Sequence, residues 1–176
     1  YNKLLAQKSS PTVDVFFSVG ENLVAAIEEG LLAKVNRDNL PDVTNLYDWA
    51  IVDPDYGAAY GALAEGIGYN PDFFGDNPPT SWKDLWRPEI NGRISVPAVG
   101  HSTMPEFFTI VAGLFGGNAD NIQPGLDALA QLKPAAQTFF YTGWNAQFDS
   151  GEIVLAVEFD YYINAMADTG SNIKFC

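Results

Sequence analysis

The chain has 176 residues, of which 47% are hydrophobic, enough for one ordinary domain with a real core. Its 22 Asp and Glu against 9 Lys and Arg give a formal net charge of −13, which argues against a nucleic-acid surface and suits cationic or neutral ligands, or simple solubility. The single cysteine, Cys176, excludes an intrachain disulfide and any cysteine-based metal site.

No run of ~18 apolar residues is present, and the opening "YNKLLAQKSS" has neither the apolar centre nor the small-residue cleavage site of a secretory signal. Any export signal is therefore expected to have been removed or left out. Val13 to Phe17 ("VDVFF"), bounded by "SSPT" and "SVGEN", predicts a buried strand. A helix follows from Glu21 to Glu29, with Leu23, Val24 and Ile27 at helical spacing and Gly30 placed for a left-handed C-terminal cap. "LLAKV" (31–35) returns as a strand. Residues 36–57 are rich in Asn, Asp and Pro and predict a long irregular connection. The small residues and glycines of 58–70, closed by Tyr69-Asn70-Pro71, predict an extended strand.

Ser81 and Asp84 have the spacing of a capping box on a short helix carrying Trp82, Leu85 and Trp86, which Pro88 stops. The two tryptophans, four residues apart, read as packing residues. "RISVPAV" (93–99) predicts a strand. Thr103 and Glu106 repeat the capping-box spacing at the start of a helix to Phe115, and Asn121–Leu132 predicts another, with Pro124 in its first turn. "QTFFY" (137–141) is a strand, Asn145–Ser150 a short helix ended by Gly151, and "EIVLAVEF" (152–159) a strongly apolar strand. A helix from Tyr161 to Asp168 stops at Gly170, and "NIKFC" starts a last strand. Alternation of strands and helices implies an α/β fold with a mainly parallel sheet.

The order "VDVFFSVGENLVAAIEEGLL", "GIGYN", "PPTSWKDLWRPEINGRISVP", "LAQLKPAAQTFFYTG", "SGEIVLAVEFDYY" resembles the solute-binding proteins of ABC importers, in their polyamine-like and iron-like branches. "PPTSWKDL" and "SGEI" are its most specific phrases. The resemblance implies two periplasmic-binding-protein-like α/β lobes closing on a small solute, a membrane permease as partner, and a location in the periplasm or outside the cell, membrane-attached if a lipoprotein. It implies no covalent chemistry and no cofactor. Against that pattern the chain reads as a fragment: residues 1–57 a partial lobe one, 58–70 the crossing strand, 71–170 lobe two, and 171–176 the start of a return strand. The missing remainder of lobe one is then a further partner.

Candidate ligand residues gather where the last long strand meets the last helix, because open α/β sheets bind ligands at the carboxyl ends of their strands. Asp160 reads either as a helix cap or as a ligand contact. The resemblance to the polyamine-like branch implies Phe159 and Asp160 as a ring-face and carboxylate pair for a cation. Resemblance to the iron-like branch implies instead that Tyr161 and Tyr162 supply phenolates to Fe(III), a hard ion suited to anionic oxygen; Tyr162 as core packing is the alternative. Glu106 aligns with an acidic contact of the polyamine-like branch, or completes the cap with Thr103. His101, Ser102 and Thr103 approach a helix N-terminus able to hold an anion or a ligand hydroxyl. Trp144, with Tyr141 near it, can stack on a ligand or pack at the lobe surface. An α/β hydrolase or transferase would depend on His101, the one histidine, and no G-x-S-x-G elbow or phosphate-binding loop supports it. An effector-sensing half of a transcription regulator ranks last, for want of a helix-turn-helix or basic patch.

Overall fold

The computed structural model describes residues 1–18, 20–35, 42, 45–51, 56–98, 100–101, 103–132, 136–140 and 143–176, with the backbone alone at 20, 21 and 136–140. It divides into two compact units, Tyr1–Ala62 and Leu63–Cys176.

In the first unit, α1 (Asn2–Ala6) precedes α2 (Gly20–Glu28). Gly30 adopts φ 62°, and the Leu31 N–H reaches back to the Ala26 carbonyl at 2.9 Å, the left-handed cap that the sequence predicts. The two strands expected at 13–17 and 31–35 do not form. Residues 13–17 carry no strand, and Val15 and Phe17 are 69% and 72% exposed; an apolar run becomes a strand only with a neighbour to complete its hydrogen-bond ladder. Phe17 meets Tyr60 edge-on instead, with ring centroids 5.4 Å apart. A single 3-10 turn spans Asp48–Ala50.

The second unit is built on five strands in the order β3-β2-β4-β1-β5. They are β1 (Glu65–Tyr69), β2 (Ile94–Pro97), β3 (Ala136–Phe140), β4 (Leu155–Phe159) and β5 (Lys174–Phe175). β2 runs parallel to both β3 and β4, whereas β1 is antiparallel to β4 and β5. The α/β expectation stands, with a mixed rather than mainly parallel sheet. The antiparallel half comes from β1; of the strand expected at 58–70, residues 58–64 stay outside it.

Each sheet face carries its own core. On one, Ile67, Val96, Leu155 and Val157 pack with Phe107 and Val111 of α4 (Met104–Leu114) and Leu132 of α5 (Gln123–Leu132). On the other, Ala156 packs with Phe148 of α6 (Asn145–Asp149) and with Ile163 and Met166 of α7 (Asp160–Asp168). The glycines of "GIGY" make this second face close: a Cβ at Gly68 would lie 2.5 Å from the Ile163 Cδ1 and 3.0 Å from the Ile173 Cδ1. One at Gly66 would collide with the Phe175 ring and the Cys176 carbonyl.

β1 ends at Asn70, whose Oδ1 accepts from the Asp72 and Phe73 N–H groups at 2.9 and 3.2 Å and caps α3 (Pro71–Phe74). The Ser81–Asp84 capping box is present, on a 3-10 turn (Trp82–Trp86). Asp84 Oδ2 accepts from the Thr80 and Ser81 N–H groups at 2.7 and 2.8 Å, and Oδ1 from Arg87 Nε at 2.9 Å. Trp86 donates its indole N–H to the Ala128 carbonyl at 3.0 Å and is half-buried, the packing role expected of it.

Candidate functional site

The sheet hydrogen bonding brings the start of β1 beside the end of β4, since Glu65 pairs with Phe159 and Gly66 with Glu158. Paired residues share a face. Glu65 and Phe159 therefore lie on the α4 side with Ile67 and Val157, while Glu158 lies on the α7 side.

Asp160 holds this edge together. Its N–H donates to the Ala64 carbonyl at 2.8 Å. Its Oδ1 accepts from the Ala64 N–H at 3.3 Å and the Tyr161 N–H at 2.8 Å. The helix begins at Asp160 itself, with Phe159 in the cap position, so the carboxylate ties the segment entering β1 to the first turn of α7. Oδ2 has no partner among the described residues.

The aromatic residues divide into two groups. Phe159 and Tyr161 stack at 6.1 Å with an interplanar angle of 25°, and Tyr161 is 55% exposed. Tyr162 is half-buried against the second core, 5.7 Å from Trp144. Trp144 is 3% exposed and meets Phe148 edge-on, which is the geometry of packing.

Around α4 the expected capping box is absent. Thr103 has helical backbone angles and no side-chain cap bond; its hydroxyl lies 2.7 Å from His101 Nδ1, which also accepts from the Thr103 N–H at 3.3 Å. A residue already in the helical region cannot aim its hydroxyl at the N–H groups of the first turn. Glu106, left out of any cap, is exposed on that turn. Thr103 is fully buried, while Ser102 and Tyr141 lie outside the described residues.

Two acids that sequence reasoning passed over complete the edge. Glu158 is 7% exposed, and its Oε1 accepts only its neighbour's Phe159 N–H, at 2.9 Å. Glu65 is more unusual: both its carboxylate oxygens are buried and neither has a hydrogen-bond partner among the described residues. Burial first, then the charges of Glu106 and Glu158, push its carboxyl up to about 8. The Tyr162 phenol is also pushed up, by burial, Glu158 and Tyr161 in that order. The signal available in the sequence was a single acid within each of two otherwise apolar strands, "EGIGY" and "LAVEF".

Glu65, Glu106, Glu158 and Asp160 thus gather at the end of the sheet where β1 starts and β4 stops, Glu65 and Glu158 on opposite faces and none in an ion pair among the described residues, near the stack of half-buried Phe159 on exposed Tyr161. Such an edge attracts cations and repels anions. Among the described residues no group of three or more His, Cys, Asp or Glu is arranged to hold a metal ion. At the opposite end of β1 a separate open cavity of about 390 Å³ is lined by Asn70, Phe148, Asp149 and residues 169–172.

Residues 10–176 match the model of a family described as bacterial extracellular solute-binding protein. A curated relative is spermidine/putrescine-binding periplasmic protein 1 of Haemophilus influenzae, 26% identical over 163 residues, which cover 87% of this chain and 44% of that protein. Among solved structures, an ABC transporter protein of Clostridium perfringens superposes with a TM-score of 0.81 at 24% identity, covering 99% of this chain and 57% of the other. An ABC transporter substrate-binding protein of Bradyrhizobium japonicum gives 0.84 at 19% identity, over 99% and 56%. The chain thus spans about half the length of the relatives it matches, and the two solved structures share its fold.

Proposed function

The chain belongs to the bacterial extracellular solute-binding protein family, and on that premise we propose that it forms part of the solute-binding component of an ABC importer that captures a small organic amine outside the cytoplasm and passes it to a membrane permease. The observation that carries the choice of an amine is the acidic edge: four carboxylates from β1, α4, β4 and α7, without cationic partners among the described residues, near the stack of half-buried Phe159 on exposed Tyr161. An ammonium group offers N–H donors to carboxylate oxygens, and the ring faces of Phe159 and Tyr161 attract the same charge. The spermidine and putrescine in the name of the Haemophilus relative are the natural first ligands to try. Asp160 contributes Oδ2, since Oδ1 is taken by backbone N–H groups.

The alternative in which Tyr161 and Tyr162 hold Fe(III) needs two phenolates. Here partial burial of the Tyr162 phenol, and then the charge of Glu158, oppose its ionisation. A hydrolase reading would rest on His101 alone, whose Nδ1 is engaged by Thr103, and the family match favours solute binding over it.

Isothermal titration of the full-length protein with putrescine, spermidine, fructose 6-phosphate and Fe(III) tests the reading. Saturable binding of an amine is expected, with no binding of the sugar phosphate and no tyrosinate colour with iron. Saturable binding of the anion alone, or a coloured iron complex without amine binding, would reject it.

A further inference from the structure

Glu65 carries a consequence beyond its place in the cluster. An ionised carboxylate buried without a partner is among the least favourable arrangements in a folded chain. Both Glu65 oxygens expose less than 1 Å² and accept no hydrogen bond among the described residues, whereas Glu158 accepts the Phe159 N–H and Asp160 two backbone N–H groups. The apolar packing of β1 is carried by Ile67 on one face and by Phe175 and Ile163 against Gly66 and Gly68 on the other.

The surroundings add repulsion instead of relief. Glu106 reaches the site from α4 and Glu158 from β4, with Asp160, Tyr161 and Tyr162 opening α7 next to Ala64, and His101 engaged with Thr103 before α4. Among the described residues neither Lys nor Arg forms an ion pair with Glu65, Glu106 or Glu158. What the carboxylate lacks is a donor carrying positive charge, and an ammonium group is one, with up to three N–H bonds to give.

We propose that capture of an ammonium group at this edge is an exchange, in which the incoming cation displaces a proton from Glu65. The O–H bond of the Glu65 carboxylic acid breaks, the proton passes to solvent, and the carboxylate left behind accepts an N–H of the ammonium. One positive charge replaces another, so the buried site never holds an uncompensated anion. This rests on the amine reading above and deepens it: Glu65 distinguishes an ammonium, able to supply both charge and hydrogen bonds, from a neutral solute, which leaves the acid protonated.

The test is calorimetric titration of the full-length protein with spermidine and putrescine, in phosphate and in Tris at pH 7. The difference in apparent enthalpy between buffers counts the protons released. With the carboxyl at about 8 before binding, about 0.9 proton per amine is expected at pH 7, and amine affinity should rise up to about tenfold from pH 6 to pH 7. In Glu65→Gln, and in Glu65→Ala as a second variant, the buffer difference should collapse and the pH slope flatten. The loss of amine affinity in Glu65→Gln should be larger at pH 8 than at pH 6, where the native acid must first give up its proton. The free protein gives an independent readout. A carboxyl raised by folding contributes stability that is full below its unfolded value and lost as pH rises through about 8, so the melting temperature should fall across that window and Glu65→Gln should flatten the fall. Amine binding without proton release, or release unchanged in both variants, overturns the exchange and leaves the amine reading standing. Failure of the wild type to bind either amine overturns both.

Discussion

Asp160 serves two ends of one carboxylate, and a pair of substitutions separates them. Its Oδ1 accepts backbone N–H groups from Ala64 and Tyr161, an anchoring that an amide oxygen can reproduce. Its charge is what an ammonium would feel. Asp160→Asn keeps the acceptor and removes the charge, so its effect on stability is expected to stay within about 1 kcal/mol. Asp160→Ala removes both, leaves the Ala64 and Tyr161 N–H groups without this acceptor, and is expected to cost about 1–2 kcal/mol. In amine binding the order differs. Both variants lose a charge-assisted contact contributing about 1.5–3 kcal/mol, so affinity should fall roughly 10- to 150-fold in each. Thermal melts followed by circular dichroism measure the first quantity and calorimetric titration with spermidine the second. If Asp160→Asn binds as tightly as the wild type while Asp160→Ala melts early, the carboxylate is an anchor only and does not belong to the ligand site.

Two further predictions concern the frame that carries the site. Burial pushes the Asp84 carboxyl up, but the Thr80 and Ser81 N–H groups and Arg87 together outweigh it and hold it below its ordinary range; its contribution is therefore full above the unfolded carboxylate value near 4 and lost as pH falls through the lower folded one. Asp84→Ala should destabilise by about 2–4 kcal/mol at pH 7, from a lost cap and an Arg87 stripped of its partner, and the gap to wild type in denaturant melts should narrow at acid pH. Gly68→Val should destabilise by about 1–3 kcal/mol or more through overpacking, because even its first carbon would lie 2.5 Å from Ile163; an unchanged melting temperature would show that α7 yields easily.

Elements whose signals are local were legible in the sequence. The Ser81–Asp84 box, the Asn70-Pro71 stop, the Gly30 cap and the helices at 104–114 and 123–132 each depend on residues a few positions apart. Failures came where a partner distant in sequence decides. "VDVFF" has strand composition, yet no neighbour pairs with it among the described residues. Thr103-x-x-Glu106 has cap spacing, yet the His101 ring takes the hydroxyl. The mixed sheet follows from β1 running antiparallel to β4, a direction that no local pattern encodes. The strand-to-helix junction at Asp160 was legible because the change of period falls there, from the apolar run of β4 to α7. Glu65 was not, since only the pairing of β1 with β4 carries residue 65 to within reach of residues 106 and 158, and a lone acid at a strand start reads as a solvated end.

The energetic sign of the edge is itself an argument for function. Glu65 is buried without a donor among the described residues, and Glu106 and Glu158 add to the cost of ionising it; a fold selected for stability alone would favour a neutral side chain at this position. Sequences keep such local conflicts where a ligand resolves them. A cation bound beside Glu65 would offset the cost of ionising it, a cost to which burial, Glu106 and Glu158 all contribute. This predicts a dependence on the ligand's charge more than on its length: once pH rises through about 8 and Glu65 ionises in the free protein, removing one carboxylate lowers the affinity for amines and raises the stability of the free protein, and the two effects move together across Glu65→Gln, Glu106→Gln and Glu158→Gln. A variant of the three that loses amine affinity with no gain in free-state melting temperature would show that its carboxylate meets the ligand without being strained beforehand.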